Sequence, residues 1–234
     1  MIRSEPCAVT PSSLVAVVIP AYQAVATIAE VVRGVRWELP DAVFVVVDDG
    51  SSDGTGDAAR RAGALVKKLA PNQGKGVALR AGIAAALAVD ACAILTIDAD
   101  GQHDPRFAPA LLAALDSADI AIGARARTGS AMPWHRRATN SLASMAVSRC
   151  AGTAIPDAQS GYRAIRAEVA RAVAAEGDRY EFETAFLIRA GRAGFRIAAV
   201  PVPTTYGAPS HFRLVADASR VVRTIWRHRT PLRP

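Results

Sequence analysis

Apolar residues in this chain fall into short blocks separated by longer, more mixed stretches. Residues 14–19, 43–47 and 93–97 are apolar runs rich in β-branched side chains, the pattern of strands buried on both faces. Pro20 is placed to stop the first of them. Helices are predicted over 27–36, over 55–62 with Gly63 placed to end it, and over the Ala-rich stretch 76–87. Residues 64–68 and 120–123 read as short strands, and 105–115 as a helix with Pro105 in its first turn. Strand and helix thus alternate across 14–123, which predicts an α/β fold with a mostly parallel sheet and helices on both faces. Further on the pattern loosens: a helix over 136–150, a strand over 161–165, a helix over 182–193, and a strand over 195–200 ended by Pro201.

No repeat, low-complexity tract or linker interrupts the chain, so one domain over 14–212 is expected, after an N-terminal extension over 1–13. Residues 213–234 form a predicted basic amphipathic helix and tail. Leu214, Ala218, Val221, Val222, Ile225 and Trp226 share one face, and Arg213, Arg220, Arg223 and Arg227 the other. Such a helix either packs on the domain with a solvated Arg face or lies in a membrane interface. Both readings stand at this point.

Composition narrows the classes. The chain has 234 residues, 51% of them hydrophobic, so it can bury a core. No apolar stretch approaches the roughly 20 residues of a membrane-spanning helix, and residues 1–11 lack the apolar core of a secretory signal. Cys7, Cys92 and Cys150 have neither zinc spacing nor a disulfide framework, which fits a reducing cytoplasm. The net charge of +7, mostly from Arg, suits an anionic partner. Aromatics are only 6% and no nucleic-acid motif is present, so a nucleic-acid partner is not expected.

Chemistry gathers at the strand ends. The strand over 93–97 runs straight into Asp98 and Asp100, two carboxylates that repel each other unless a cation lies between them. Hard oxygen ligands suit Mg²⁺ or Mn²⁺ bridging to a substrate diphosphate. The first strand ends at Pro20, Ala21 and Tyr22, and the second at Asp48 and Asp49. In a parallel sheet all three ends lie along one edge, where ligands of open α/β sheets bind. Asp48 and Asp49 either accept hydrogen bonds from a nucleobase and a ribose, or form an Asx turn with Ser52 or Asp53 as N-cap of the next helix. The Asn72-Gln73-Gly74-Lys75-Gly76 segment opens a helix at a place suited to an anion, but it is not a P-loop. The absence of GxGxxG argues against a dinucleotide oxidoreductase.

Together, residues 17–22, 46–55, 72–76 and 98–103 resemble family 2 glycosyltransferases, which have the GT-A fold. Residues 157–163 (Asp-Ala-Gln-Ser-Gly-Tyr-Arg), 181–184 and 200–202 resemble later motifs of the branch containing dolichyl- and polyprenyl-phosphate hexose synthases. The resemblance spans about 14–213. It implies that Asp98 and Asp100 hold Mg²⁺ or Mn²⁺ with Gln102 as a further ligand. It places Pro20, Tyr22, Asp48, Asp49 and Lys75 at the nucleotide-sugar donor, and Arg125 and Arg163 at the acceptor and its phosphate. The implied reaction is an inverting transfer of a hexose from a UDP- or GDP-linked sugar to a lipid-linked acceptor, a polyprenyl phosphate, at the cytoplasmic membrane surface through peripheral contact. A hydroxyl acceptor would need a general base, for which Asp157 is the first candidate and Glu181 and Glu183 the next. Ser210-His211-Phe212-Arg213 departs from the expected Gly-x-Ser-Lys ending, and His211 is either structural or a further metal ligand. The competing readings are a sugar nucleotidyltransferase, which lacks its Gly-rich opening here, and a non-enzymatic basic module for membranes or nucleic acid.

Overall fold

Within each central strand, alternate side chains enter different cores, which is why the sequence shows unbroken apolar runs there. The computed structural model describes residues 13–125, 134–173 and 181–203. In chain order the elements are β1 (Val15–Ala21), α1 (Ile28–Glu38), β2 (Val43–Asp49), α2 (Thr55–Arg61), β3 (Leu65–Leu69), α3 (Lys75–Ala88), β4 (Ala93–Thr96) and α4 (Ala108–Ala113). They continue with β5 (Ile120–Arg125), α5 (Trp134–Ala151), β6 (Arg163–Arg166), α6 (Ala167–Ala172), α7 (Glu181–Arg192) and β7 (Ile197–Val202). The seven strands form one sheet in the order β3-β2-β1-β4-β6-β5-β7. All pairings are parallel except those of β6, which runs antiparallel to both β4 and β5.

One face of the sheet carries Val17, Ile19, Val46 and Leu95 against α1, α2 and α4. On the other face Ala16, Val18 and Ile94 meet Leu79, Ile83 and Ala86 of α3, and Val45 and Val47 meet Ala78. Ile120, Ile122 and Ile165 pack with Val147 of α5 and Phe186, Leu187 and Ile188 of α7. Helix α3 approaches β1 so closely that a Cβ at Gly82 would lie 2.3 Å from Val18 Cγ1. Gly82→Ala therefore forces α3 away from the sheet and should cost about 1–3 kcal/mol by urea denaturation, despite alanine's better helix propensity.

Two prolines behave differently from the sequence expectation. β1 does not stop at Pro20 but continues to Ala21, because pairing with β4 ends at Val18 and only the β2 side remains paired. β7 likewise continues through Pro201 to Val202, since it is an edge strand whose outer side needs no N–H. The 105–115 helix is helical throughout but enters and leaves through 3₁₀ turns, Pro105–Phe107 and Ala114–Asp116, with the Asp104 carboxylate accepting from the Arg106 N–H at 3.0 Å. The strand expected over 161–165 begins only at Arg163, and α6 follows it directly. Residues 1–12 and the predicted C-terminal helix, with His211 and the 210–213 segment, lie outside the described residues. Among the described residues no helix is long and apolar enough to cross a membrane.

Candidate active site

The β2-β1-β4 order brings the three polar strand ends side by side. Ala21 is in register with Asp48, and Asp98 follows two residues after β4. Both carboxylates at the β2 end are buried and engaged with backbone. Asp48 Oδ1 accepts from Ser51 N at 2.9 Å. Asp49 accepts from Gln73 N at 2.8 Å and Gly74 N at 2.7 Å, and its carbonyl accepts from Asn72 Nδ2 at 3.0 Å. Of the two readings open for this pair, the structure supplies the turn bonds, and through Asp49 it also fixes where α3 begins. The expected N-cap role of Ser52 or Asp53 falls instead to Gly54, while Asp53 accepts from Thr55 N at 3.0 Å and Val25 N at 3.1 Å. Ser51 and Thr55 hydroxyls accept from Gln23 N and Ala24 N at 3.0 and 2.8 Å. The β1 and β2 ends are thereby laced into one shelf, with Pro20 buried beneath it and Tyr22 exposed at its rim.

At the β4 end, Asp98 Oδ1 lies 2.7 Å from Lys75 Nζ, which also lies 3.1 Å from Glu183 Oε2 on α7. Asp100 Oδ1 accepts from Gln102 N at 3.0 Å. The two aspartates are driven apart in acidity. Burial works against ionising Asp98, yet the Lys75 ammonium holds its carboxyl below the ordinary carboxylate range. Burial, followed by the charge of Asp98, pushes Asp100 above it. Gly161 backs the Asp98 carboxylate so tightly that a Cβ would lie 2.5 Å from Oδ2, and Thr96 Oγ1 pins that glycine by donating to its carbonyl at 2.8 Å.

Among the described residues no group of three or more His, Cys, Asp or Glu side chains is placed to hold a metal ion by itself. Asp98 and Asp100 supply two carboxylates, the hard oxygen donors that a divalent cation takes. An open pair of carboxylates is what Mg²⁺ or Mn²⁺ uses when the substrate's phosphate oxygens complete its shell. His103 is buried beside the pair, stacked near the Tyr162 ring at 5.2 Å between centroids, and its Nδ1 has no hydrogen-bond partner. Burial pushes its imidazole below the ordinary value against the pull of Asp98 and Asp100.

The remaining predicted residues separate into two settings. Arg125, at the end of β5, forms a bidentate pair with Asp157: Nε to Oδ2 at 2.7 Å and Nη2 to Oδ1 at 2.8 Å. Burial raises the Asp157 carboxyl, but its hydrogen bonds from Arg125 and that residue's charge hold it below the ordinary range. Asp157 therefore orients Arg125. Arg163 is 3% exposed, and its Nε, Nη1 and Nη2 donate to the carbonyls of Ser160, Glu183 and Ala158 at 2.8, 3.3 and 3.0 Å. Its guanidinium staples the 157–161 turn to α7. Neither the close backing of Asp98 by Gly161 nor the Lys75–Asp98 pair was anticipated from the sequence. The Ser160-Gly161 pair after an acidic residue was its only local trace.

The geometry defines a GT-A catalytic domain. The profile described as Glycosyl transferase family 2 matches residues 16–174, and the chain belongs to that family of glycosyltransferases. It is 33% identical over 196 residues to an undecaprenyl-phosphate mannosyltransferase of Micrococcus luteus, covering 79% of this chain and 81% of the relative. It is 32% identical over 214 residues to a polyprenol monophosphomannose synthase of Mycolicibacterium smegmatis, covering 86% and 81%. In fold it is similar to glucosyl-3-phosphoglycerate synthase of Mycobacterium tuberculosis, solved with Mn²⁺, uridine diphosphate and glucosyl-3-phosphoglycerate. That likeness has a TM-score of 0.76 at 23% identity and covers 93% of this chain and 80% of that one.

Proposed function

We propose that this chain is an inverting, cation-dependent hexosyltransferase that moves a hexose from a UDP- or GDP-linked donor to a polyprenyl phosphate at the cytoplasmic face of a membrane. The observation that carries the reading is the alignment of the β1, β2 and β4 ends, which sets the Asp98–Asp100 pair beside the shelf formed by the β1 and β2 ends. In this reading Asp98, Asp100 and Gln102 hold Mg²⁺ or Mn²⁺, and Pro20, Tyr22, Asp48, Asp49 and Lys75 line the donor. When bound, the cation neutralises charge developing on the departing nucleoside diphosphate. The Mn²⁺ and uridine diphosphate named with the M. tuberculosis structure support this part.

The choice of acceptor rests on which groups are basic. A hydroxyl must give up a proton, whereas a lipid phosphate is already ionised at neutral pH. Asp157 is locked to Arg125 and holds its charge too well to be an effective base, and Glu183 is paired with Lys75. In this reading Arg125, oriented by Asp157, is the phosphate partner at the acceptor end. The names of the M. luteus and M. smegmatis relatives support the same acceptor class.

The test is a panel of GDP- and UDP-hexoses with Mn²⁺ and the purified full chain, with polyprenyl phosphate, free polyprenol, or neither. Nucleoside diphosphate should be released, and a charged lipid product formed, only with the phosphorylated lipid and one donor class. Equal turnover with a hydroxyl acceptor would replace the acceptor, and no release with any donor would end the reading.

A further inference from the structure

Lys75 stands where two different carboxylates meet. It is the first residue of α3, and its backbone is fixed because Asp49 holds the preceding Gly74 N–H at 2.7 Å. Its ammonium reaches Asp98 Oδ1 at 2.7 Å on the sheet side and Glu183 Oε2 at 3.1 Å on the α7 side. Glu183 is buried, and Arg163 Nη1 donates to its main-chain carbonyl at 3.3 Å, so this turn of α7 is anchored as well. An ammonium has three donors and can shift between two acceptors without leaving either neighbourhood. Two cations drawn to the same carboxylate repel each other, and more strongly where water is scarce.

We propose that Lys75 is a built-in rival to the divalent cation for Asp98, and that Glu183 sets the cation affinity of the site by taking over Lys75 when Asp98 turns to the metal. This rests on the functional reading above, in which Asp98 and Asp100 are the metal ligands. It assigns Glu183, first considered as a general base, to a positioning task carried out through Lys75. The arrangement lets the site keep three carboxylates near one another without a large excess of negative charge. It also tunes how readily Asp98 becomes available.

The test is Mn²⁺ binding by the full chain, read from the electron paramagnetic resonance signal of free Mn²⁺, with Mn²⁺ alone and with UDP or GDP. Glu183→Gln should weaken binding of Mn²⁺ alone by roughly tenfold, and Lys75→Met should tighten it by a similar factor. In the Lys75→Met background, Glu183→Gln should have little further effect, the non-additivity expected of residues that act through one another. Lys75→Arg, which keeps the charge, should restore the dependence on Glu183. Circular dichroism melting checks that each variant is folded. An equal loss from Glu183→Gln in both backgrounds would overturn the inference, because Glu183 would then act only as a nearby charge. Weaker binding by Lys75→Met would overturn it too. If the wild-type chain binds no Mn²⁺ even with UDP or GDP, the functional reading itself fails and the inference falls with it.

Discussion

Asp100→Asn should lower turnover by about 10²–10⁴-fold while leaving the fold intact, because on the proposed reading Asp100 helps hold the cation that offsets charge at the leaving group. The substitution is nearly isosteric, and the amide oxygen can still accept from Gln102 N, the bond that shapes the turn after β4. Stability should hold or rise slightly. Burial and the neighbouring charge of Asp98 both disfavour the ionised Asp100, so replacing it with a neutral amide relieves a cost. The expected signature is therefore a loss of kcat and of Mn²⁺ affinity with an unchanged or higher melting temperature. Retained turnover at saturating Mn²⁺ would remove Asp100 from the metal site.

Asp157→Asn should act on both stability and the acceptor. Asp157 and Arg125 are largely shielded from solvent and joined by two short bonds, so an amide leaves one guanidinium N–H without its partner. The expected cost is about 2–4 kcal/mol, or a melting temperature lower by about 5–12 °C. The pH dependence has a definite sign. Ionised Asp157 is favoured in the folded chain, so its contribution is present above the usual carboxylate range and is lost as pH falls through the lower folded value. The Asn variant takes up no proton there, and its stability should fall less steeply on the acid side. With Arg125 freed, the KM for polyprenyl phosphate should rise more than the KM for the nucleotide sugar. An equal rise in both would place Arg125 away from the acceptor.

Much of the architecture was legible because buried parallel strands announce themselves as apolar runs. The runs at β1, β2 and β4 ended in the polar residues that form the site, and the alternation with helices implied that these ends share an edge. The prolines were read too locally. Whether Pro20 and Pro201 stop a strand depends on which side of the strand is paired at that residue, a property of the neighbours. The partners of Arg163 were hidden for a related reason. An Arg after Ser-Gly-Tyr looks like an anion binder, but β6 runs antiparallel between β4 and β5 and turns that side chain inward toward three carbonyls.

By itself, the sequence determined the class of fold, the family and the Asp98–Asp100 pair, because periodicity and short motifs are carried by residues close together in the chain. Only the tertiary structure decided how the charges are partnered. Lys75 with Asp98 and Glu183, Asp49 with Gln73 and Gly74, and Arg125 with Asp157 join residues from 23 to 108 positions apart. Such pairings follow from strand order and helix placement, and electrostatic energy depends on distance and burial in space, neither of which spacing along the chain records.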